Sequence, residues 1–221
     1  MKLIVVVDLQ NEFLGWQPEE IKKSLPKKVV NYLKKQMEKS DHTRILCTRD
    51  THLEKDYDDH FESWTYPLHC VRGTWEWELV DELETFMNDR AYKKCWVVNK
   101  PTYGDYSEIL RLKRLFKWEF DEIEVVGLTT DICVLATMVM LNCLFPKAEL
   151  SVINELTYGT SEEKKQHAYQ VINSMGFHIK TLQGFDYNTP EAWEDEAIEN
   201  EVIDKCFEIA DSLKEEKDEE K

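Results

Sequence analysis

The sequence lacks the features that mark membrane, secreted and disulfide-stapled proteins. No run approaches the roughly 20 apolar residues needed to span a bilayer. The apolar run near the start, KLIVVV, is too short for a secretory signal and has no small-residue cleavage site after it. The six cysteines are widely spaced without a CxxC pair, which does not indicate a disulfide framework. We therefore expect a protein of the reducing cytoplasm.

Positive charge is also scarce. Lys and Arg number 28 against 44 Asp and Glu, for a formal net charge of -16. Binding to nucleic acid or to an anionic membrane needs clustered basic residues that replace counterions. We therefore expect neither as a partner, and expect small molecules or proteins instead.

Short β-branched apolar runs alternate with longer amphipathic segments. This pattern is typical of a three-layer α/β/α fold with a mostly parallel, doubly wound sheet, here of about six strands. The strands are predicted at 2–7, 44–49, 95–99, 122–128, 149–154 and 177–182. Helices are predicted at 19–39, 77–88, 108–118, 132–145 and 161–175, the first divided at Pro26 because proline removes a backbone donor.

The composition changes near residue 185. The final 37 residues contain 15 acidic residues against four lysines, without a strand pattern. We expect a hydrolase domain at 1–184, followed at 185–221 by an acidic amphipathic helix and a disordered tail. The helix would dock on the domain or on a neighbouring subunit, and we expect a homo-oligomer.

Polar residues follow four of the predicted strands. Asp8 ends the first strand, Asp50 and His52 follow the second, Lys100 ends the third, and the turn TTDIC after the fourth leads to Cys133. In doubly wound sheets ligands bind outside the carboxyl ends of the strands. Any one of these residues alone is more often a helix cap or a solvated loop charge, but together they predict a catalytic edge.

Cys133 lies where the loop after the fourth strand enters a helix. The positive end of the helix dipole and a nearby Lys100 would favour its reactive thiolate. Free amides of the same turn could hold an oxyanion. The alternative is an inert buried cysteine at the start of an apolar helix, which is the role we assign to Cys143.

The stretch after the second strand, RDTHLEKDYDDHFESWTYPLHC, is rich in histidine and carboxylate. Its candidate ligands are Asp50, His52, His60, Glu62 and His69. Two or more histidines with carboxylates are a plausible site for divalent zinc, manganese or iron. The alternative is a set of ordinary surface residues.

With these motifs in place, the chain resembles the nicotinamidase-like branch of the isochorismatase-like cysteine hydrolases. The resemblance covers roughly residues 2–180 and rests on VVVDLQNEF, RDTH, HCVRGT, the Lys of VVNKPTYG and GLTTDICV, in that order. It implies that Asp8 is the acid/base carboxylate, Lys100 the cation and Cys133 the nucleophile. It also implies a cis peptide at Leu128–Thr129, with the amides of Thr129 and Cys133 as the oxyanion hole.

The resemblance also implies one divalent metal ion, with zinc favoured over manganese or iron. Its ligands would be Asp50, His52 and His69, with Glu62 as the fourth and His60 as the alternative fourth ligand. The ion with its waters would bind the ring nitrogen of an aromatic amide and orient the carboxamide.

Three loop aromatics flank these motifs and could form flat walls for an aromatic ring. Alternatively they belong to the rim or the core, which is the commoner position of such side chains. These residues are Phe13, Trp64 and Tyr103.

The leading hypothesis is a nicotinamidase of pyridine nucleotide salvage, which converts nicotinamide to nicotinate and ammonia. Trp75 and Glu76 replace a small, turn-forming pair of the family pattern, and KPTYGDYSEIL is shorter than usual. A hydrolase of another small amide or ureide is therefore the first alternative. Isochorismate hydrolysis leaves the metal motif unexplained. The alternative of another class is a non-enzymatic interaction protein that works through its acidic C-terminal segment.

Overall fold

The structure, a computed structural model, describes residues 1–104 and 106–187. Six parallel strands form one sheet in the order β3-β2-β1-β4-β5-β6. The strands are β1 (Lys2–Val7), β2 (Thr43–Asp50), β3 (Cys95–Lys100), β4 (Glu122–Leu128), β5 (Glu149–Tyr158) and β6 (His178–Lys180). The predicted fold class is confirmed. Within the described ranges, no helix is long and apolar enough to cross a membrane.

Helices cover both faces of the sheet. On one face lie α1 (Asn11–Gly15), α2 (Glu19–Lys39) and α3 (Asp81–Asn88), and on the other α4 (Ser107–Phe116), α5 (Leu135–Leu144) and α6 (Glu162–Ser174). Along β1, Leu3 and Val5 enter one hydrophobic core while Ile4 and Val6 enter the other. Burial on both faces explains why this strand is apolar at every position from Leu3 to Val7.

The strand order reverses at β1, which pairs with β2 on one side and β4 on the other. In such sheets the crevice beside this reversal is the usual ligand site. Gly127 near the end of β4 has φ +112°, and a Cβ there would lie 2.1 Å from the carbonyl oxygen of Val7. Glycine therefore allows the two strand ends that carry Asp8 and the Cys133 turn to approach closely.

Two helix predictions are wrong. Pro26 does not divide its helix, because α2 runs unbroken from Glu19 to Lys39 with Leu25 and Pro26 buried; packing against the core outweighs the missing hydrogen bond. The helix predicted from residue 77 begins at Asp81 instead. The preceding residues are bound to the chain after β1: the amide of Asn11 donates to Glu78 O at 3.1 Å and that of Val80 to Leu9 O at 3.1 Å.

The C-terminal prediction falls almost wholly outside the described residues, which end at Tyr187. Within them, Asp186 pairs antiparallel with Lys180 of β6, and the amide of Tyr187 donates to Ile179 O at 3.0 Å. The predicted boundary at 184, the acidic helix and the disordered tail stay predictions. The burial expected for Cys143 is wrong, because this residue is exposed on α5.

Candidate active site

Asp8, Lys100 and Cys133 meet at the carboxyl edge of the sheet. The Lys100 Nζ lies 2.7 Å from Asp8 Oδ2 and 3.6 Å from Cys133 Sγ. Asp8 and Lys100 are fully buried, and Cys133 is 5% exposed. Three chemically distinct side chains from the ends of β1, β3 and β4 therefore share one desolvated cluster, as their positions in the sequence predicted.

Burial and neighbouring charge set the protonation of this cluster. Burial raises the pKa of the Cys133 thiol well above its ordinary value; Lys100 acts in the opposite direction, while Asp8 and Asp50 raise it further. Burial also raises the pKa of Asp8, against the effect of Lys100. Burial disfavours the charged form of Lys100, but the negative charges around it raise its pKa well above the usual range.

Lys100 favours the thiolate of Cys133, as expected from the sequence, but burial outweighs it and leaves the pKa of the thiol raised. One ammonium is shared by three acidic groups, since Lys100 Nζ lies 2.7 Å from Asp8, 3.4 Å from Asp50 and 3.6 Å from Cys133. The raised pKa favours the thiol over the thiolate, so a neighbouring base would be needed to deprotonate Cys133. Asp8 is the carboxylate beside it, with a pKa raised towards the range in which it can both take up and return a proton.

The turn that carries Cys133 follows directly from β4. The Leu128–Thr129 peptide is cis, as the resemblance implied. The Thr129 carbonyl accepts from the amides of Ile132 at 3.2 Å and Val134 at 3.1 Å, which closes the turn around Cys133. Thr129 and Cys133 thus lie in one tight turn; their role as an oxyanion hole stays a prediction.

A second cluster lies beside the triad. Asp50, His52, Glu62 and His69 each present one ligand atom, and these four atoms all lie within 4.8 Å of one another. The Asp50 Oδ2 lies 3.2 Å from the Nε2 of both His52 and His69. Two imidazoles and two carboxylates form a donor set that suits a divalent metal ion such as zinc.

The histidines of the cluster are prepared to bind a metal ion. Both ring nitrogens of His52 are buried without a hydrogen-bond partner among the described residues. The Nδ1 of His69 lies 2.8 Å from the carbonyl oxygen of Pro67, which can only accept. That bond requires a proton on Nδ1, so in the neutral imidazole the Nε2 that faces Asp50 Oδ2 carries the lone pair that could bind a metal ion. The residues therefore fit a bound metal ion.

The structure distinguishes the two candidates for the fourth ligand. Glu62 reaches the cluster, with its carboxylate oxygens 3.7 Å from His52 Nε2 and 3.5 Å from His69 Nε2. His60 stands outside the group of four, with its ring 5.7 Å from that of His52. The geometry therefore favours Glu62 over His60.

Asp50 connects the metal cluster to the triad. Its Oδ2 faces His52 and His69, while its Oδ1 lies 3.4 Å from Lys100 Nζ. Burial alone would raise the pKa of Asp50, but Lys100 and the two histidines hold it well below the usual range. Asp50 is thus a buried carboxylate that acts on both halves of the site.

Sequence reasoning missed two residues that position this carboxylate and Asp8. Gln10, fully buried, accepts from the Asp50 amide at 2.7 Å and donates to the Asp50 carbonyl at 2.9 Å. Thr48 donates to Asp8 Oδ1 at 2.7 Å. The motif VVVDLQNEF contains Gln10, and its position two residues after Asp8 is the signal that could have identified it.

The aromatic residues do not all lie where the walls were predicted. Phe13 is buried, with its ring 5.6 Å from that of His69. Trp64 is 79% exposed and packs against Phe61. Tyr103 is near the reacting groups: burial raises its pKa to about 12, and the charges of Glu62 and Cys133 contribute.

Tyr66 is a further aromatic residue of the site that the sequence reasoning did not single out. Its pKa is raised by burial and then by Asp131, Glu62 and Cys133, and its ring lies 6.4 Å from that of His69. Tyr66 and Tyr103 also interact electrostatically with each other. Both phenols thus lie within electrostatic range of Glu62 and Cys133, one group from each half of the site.

The fold and this site define a hydrolase-like α/β protein, and comparison with known proteins identifies its family. Residues 2–183 match the Isochorismatase domain, so the chain belongs to the isochorismatase family. Within that family it lies in the nicotinamidase-like branch. It is 27% identical to the nicotinamidase of Saccharomyces cerevisiae over 184 residues, which cover 63% of this chain and 80% of the relative.

A second relative gives a similar result. The nicotinamidase/pyrazinamidase of Mycobacterium tuberculosis is 28% identical over 152 residues, which cover 62% of this chain and 76% of the relative. Among solved structures, the pyrazinamidase/nicotinamidase of Streptococcus mutans superposes with a TM-score of 0.66 at 24% identity, over 81% of this chain and 99% of that one.

The pyrazinamidase of Pyrococcus horikoshii in complex with zinc shares the same fold. It gives a TM-score of 0.63 at 24% identity, over 82% of this chain and 98% of the other. At this identity the likeness supports the fold alone.

Proposed function

We propose that this chain is a metal-assisted cysteine amidohydrolase that converts nicotinamide and water to nicotinate and ammonia. The observation that carries the proposal is the connection made by Asp50, whose oxygens face Lys100 on one side and His52 and His69 on the other. A nucleophile cluster and a cluster that fits a metal ion thus form one site. Relatives named as nicotinamidases support the substrate.

Acylation follows from the protonation of the triad. The Asp8 carboxylate accepts the Cys133 proton, and Lys100 stabilises the sulfur anion that forms. The sulfur adds to the amide carbonyl carbon, and the negative oxygen faces the amides of Thr129 and Cys133. Asp8 then returns the proton to the amide nitrogen, ammonia leaves, and an acyl thioester remains on Cys133.

Deacylation uses the same groups in reverse. A water molecule replaces ammonia, Asp8 takes its proton, and the oxygen adds to the thioester carbon. Collapse of this intermediate breaks the C–S bond, the acid departs, and the proton returns to Cys133. Lys100 stays protonated throughout, because Asp8, Cys133 and Asp50 hold its pKa well above the usual range, against the effect of burial.

The metal site would serve mainly to position the substrate. Asp50, His52, Glu62 and His69 would hold a divalent ion, which supplies a Lewis acid for a ring nitrogen. Tyr66 and Tyr103 would contact the faces or edges of the ring between the metal cluster and Cys133. An aromatic amide without a ring nitrogen would lose that contact and bind less well.

Hydrolysis of another small amide or ureide is the second candidate function. It is favoured by the departure from the family pattern at Trp75 and Glu76, which lie in the segment between His69 and α3. Trp75 is 64% exposed, and its carbonyl oxygen accepts from the Asn11 side chain at 2.9 Å. This segment therefore packs on the chain after β1, beside the site.

A single ammonia-release screen tests both functions. Purified full-length protein is loaded with zinc, manganese or iron, and assayed with nicotinamide, pyrazinamide, benzamide and ureides, with and without chelator. The proposal expects release from nicotinamide that a chelator abolishes and added metal restores. Turnover of another amide with none of nicotinamide would favour the second candidate, and metal-independent turnover would contradict the assigned role of the cluster.

A further inference from the structure

A second polar cavity lies behind the metal-binding segment. It has a volume of about 190 Å³ and is lined by Thr51, Asp56, His60, Arg72, Asn99 and Pro101, among others. A water molecule needs about 10–15 Å³ of such volume, so the cavity has room for a single-ring molecule. Lys100 of the triad also borders the cavity, but it is fully buried and its ammonium is paired with Asp8, while no residue of the metal cluster lines the cavity.

The cavity and the active site share one stretch of backbone. Asp50 and His52 present their side chains to the metal cluster, whereas Thr51 between them lines the cavity. The Thr51 amide donates to the Lys100 carbonyl oxygen at 2.8 Å, so the cavity also borders the strand end that carries Lys100. A ligand in the cavity would therefore contact the reverse side of the segment that carries two metal ligands.

Two arginines lie at or near the cavity, Arg72 in its lining and Arg49 beside it. Arg72 is exposed and forms no ion pair with any described residue. Arg49 lies close enough for the two guanidinium groups to repel each other. Arg49 is already engaged, since its Nε donates to Asn99 Oδ1 at 2.9 Å and its guanidinium stacks 3.6 Å over Trp77. Arg72 is thus the cation available to a ligand.

The remaining groups narrow the ligand class. The Asn99 oxygen is taken by Arg49, which leaves its amide NH₂ as a donor, and His60 can also donate, whereas the Thr51 hydroxyl already donates to the Arg49 carbonyl oxygen. Asp56 is the opposing carboxylate and makes a dianion less favourable than a monoanion. Leu53 and Pro101 add apolar surface. The planar guanidinium fork matches a carboxylate in two parallel bonds.

We propose that this cavity binds a small carboxylate with an apolar body, held by Arg72 and the donors of His60 and Asn99. The acid released by the proposed hydrolysis belongs to this class, so on the proposed function the cavity would hold product. The recognition of carboxylates itself is independent of that function. The occupied cavity would stiffen the segment between Asp50 and His52.

Direct binding of benzoate tests the proposal without reference to catalysis. Zinc-loaded full-length protein is titrated with benzoate, and separately with inorganic phosphate, by calorimetry. Arg72→Gln is expected to weaken benzoate binding about tenfold, because a charged hydrogen bond is lost. Asp56→Asn is expected to strengthen it about two- to fivefold, because a repelling charge is removed. A merely damaged protein would not bind more tightly.

Arg90→Gln is the matched control, since it removes an exposed arginine from the turn after α3, remote from the cavity. It is expected to leave benzoate binding unchanged. The proposal is overturned if benzoate does not bind the wild-type protein, if Arg72→Gln binds it normally, or if Arg90→Gln weakens it equally. Tighter Arg72-dependent binding of phosphate than of benzoate would overturn the assignment to carboxylates.

Discussion

The triad and the metal cluster lie side by side, but the fold holds them in different ways. Asp8 and Lys100 lie at the ends of β1 and β3, which flank β2 in one parallel sheet, and Cys133 follows β4 in a closed turn. Three of the four metal-cluster residues instead lie between β2 and α3, where the described elements are two short 3-10 turns at Tyr57–Asp59 and Phe61–Trp64.

The difference extends to exposure. The triad is almost fully desolvated. In contrast, three large aromatic side chains between β2 and α3 are exposed to solvent: Phe61 (76% exposed), Trp64 (79%) and Trp75 (64%). Rigid strand ends hold reacting groups precisely, and loops on such a scaffold are the parts that vary between related enzymes. The contrast suggests that the sheet determines how the bond is cleaved and the loop determines which amide is chosen.

The largest expected effect comes from the acid/base carboxylate. Asp8→Asn removes the group that accepts the Cys133 proton, and we expect a loss of about 10²- to 10⁴-fold in kcat. Because Asp8 belongs to the triad and not to the metal cluster, the metal content of the variant should stay at the wild-type value. Steady-state ammonia release and metal analysis on the same sample check this. Full activity would exclude Asp8 as the base.

The metal half is tested by the two candidates for the fourth ligand. Glu62→Ala is expected to weaken zinc binding at least about 100-fold, since even outer residues of metal sites contribute 10- to 100-fold. His60→Ala is the matched control and should bind zinc normally, because His60 stands outside the cluster. Competition with a chromogenic chelator gives both affinities. The reverse order would assign the ligand to His60.

Gln10 tests whether the two halves are connected through the Asp50 backbone. Gln10→Ala removes the hydrogen bonds to the Asp50 amide and carbonyl, and we expect metal affinity and kcat/KM to fall together, each by about 10- to 100-fold. Gln10→Glu should not restore the loss, because its carboxylate would face the carbonyl oxygens of Asp50 and Trp77, to which the Gln10 side chain donates. Loss of only one of the two quantities would mean that the halves are independent.

The smallest effect is expected at the aromatic residues. Tyr66→Ala should raise KM by about two- to tenfold, the contribution of one aromatic contact, with little change in kcat. Trp64→Ala is the control and should leave KM unchanged, because Trp64 packs on Phe61 and is exposed. Initial rates over a range of nicotinamide concentrations separate the two. A larger rise in KM for Trp64→Ala than for Tyr66→Ala would instead support the sequence-based prediction that Trp64 contacts the substrate ring.

The contrast between the two halves also explains what the sequence could predict. Asp8, Lys100 and Cys133 were brought together correctly because parallel strands end at a common edge, so position along the chain determines position in space. The effect of Lys100 on the Cys133 pKa was predicted in the right direction, but the larger opposing effect of burial was not. That pKa depends on how deeply the thiol is buried and on two carboxylates at once, and neither can be read from spacing.

For the metal cluster, the sequence predicted which residues are candidate ligands but not which aromatic side chains lie beside them. The residues His52, Glu62 and His69 were found because histidine and carboxylate cluster in one stretch. The aromatic residue that faces the site could not be predicted, because Trp64 and Tyr66 are only two residues apart in a segment without a regular period. The uninterrupted course of α2 through Pro26 was missed for a similar reason, because burial of that side chain is a tertiary effect.

The most direct test of the central claim is ammonia release by Cys133→Ala, measured together with its zinc content. The account predicts that the variant binds zinc like the wild type and releases ammonia from nicotinamide at the uncatalysed rate. Cys143→Ala, which changes an exposed cysteine on α5, should be fully active. Ammonia release by Cys133→Ala at the wild-type rate would contradict the account.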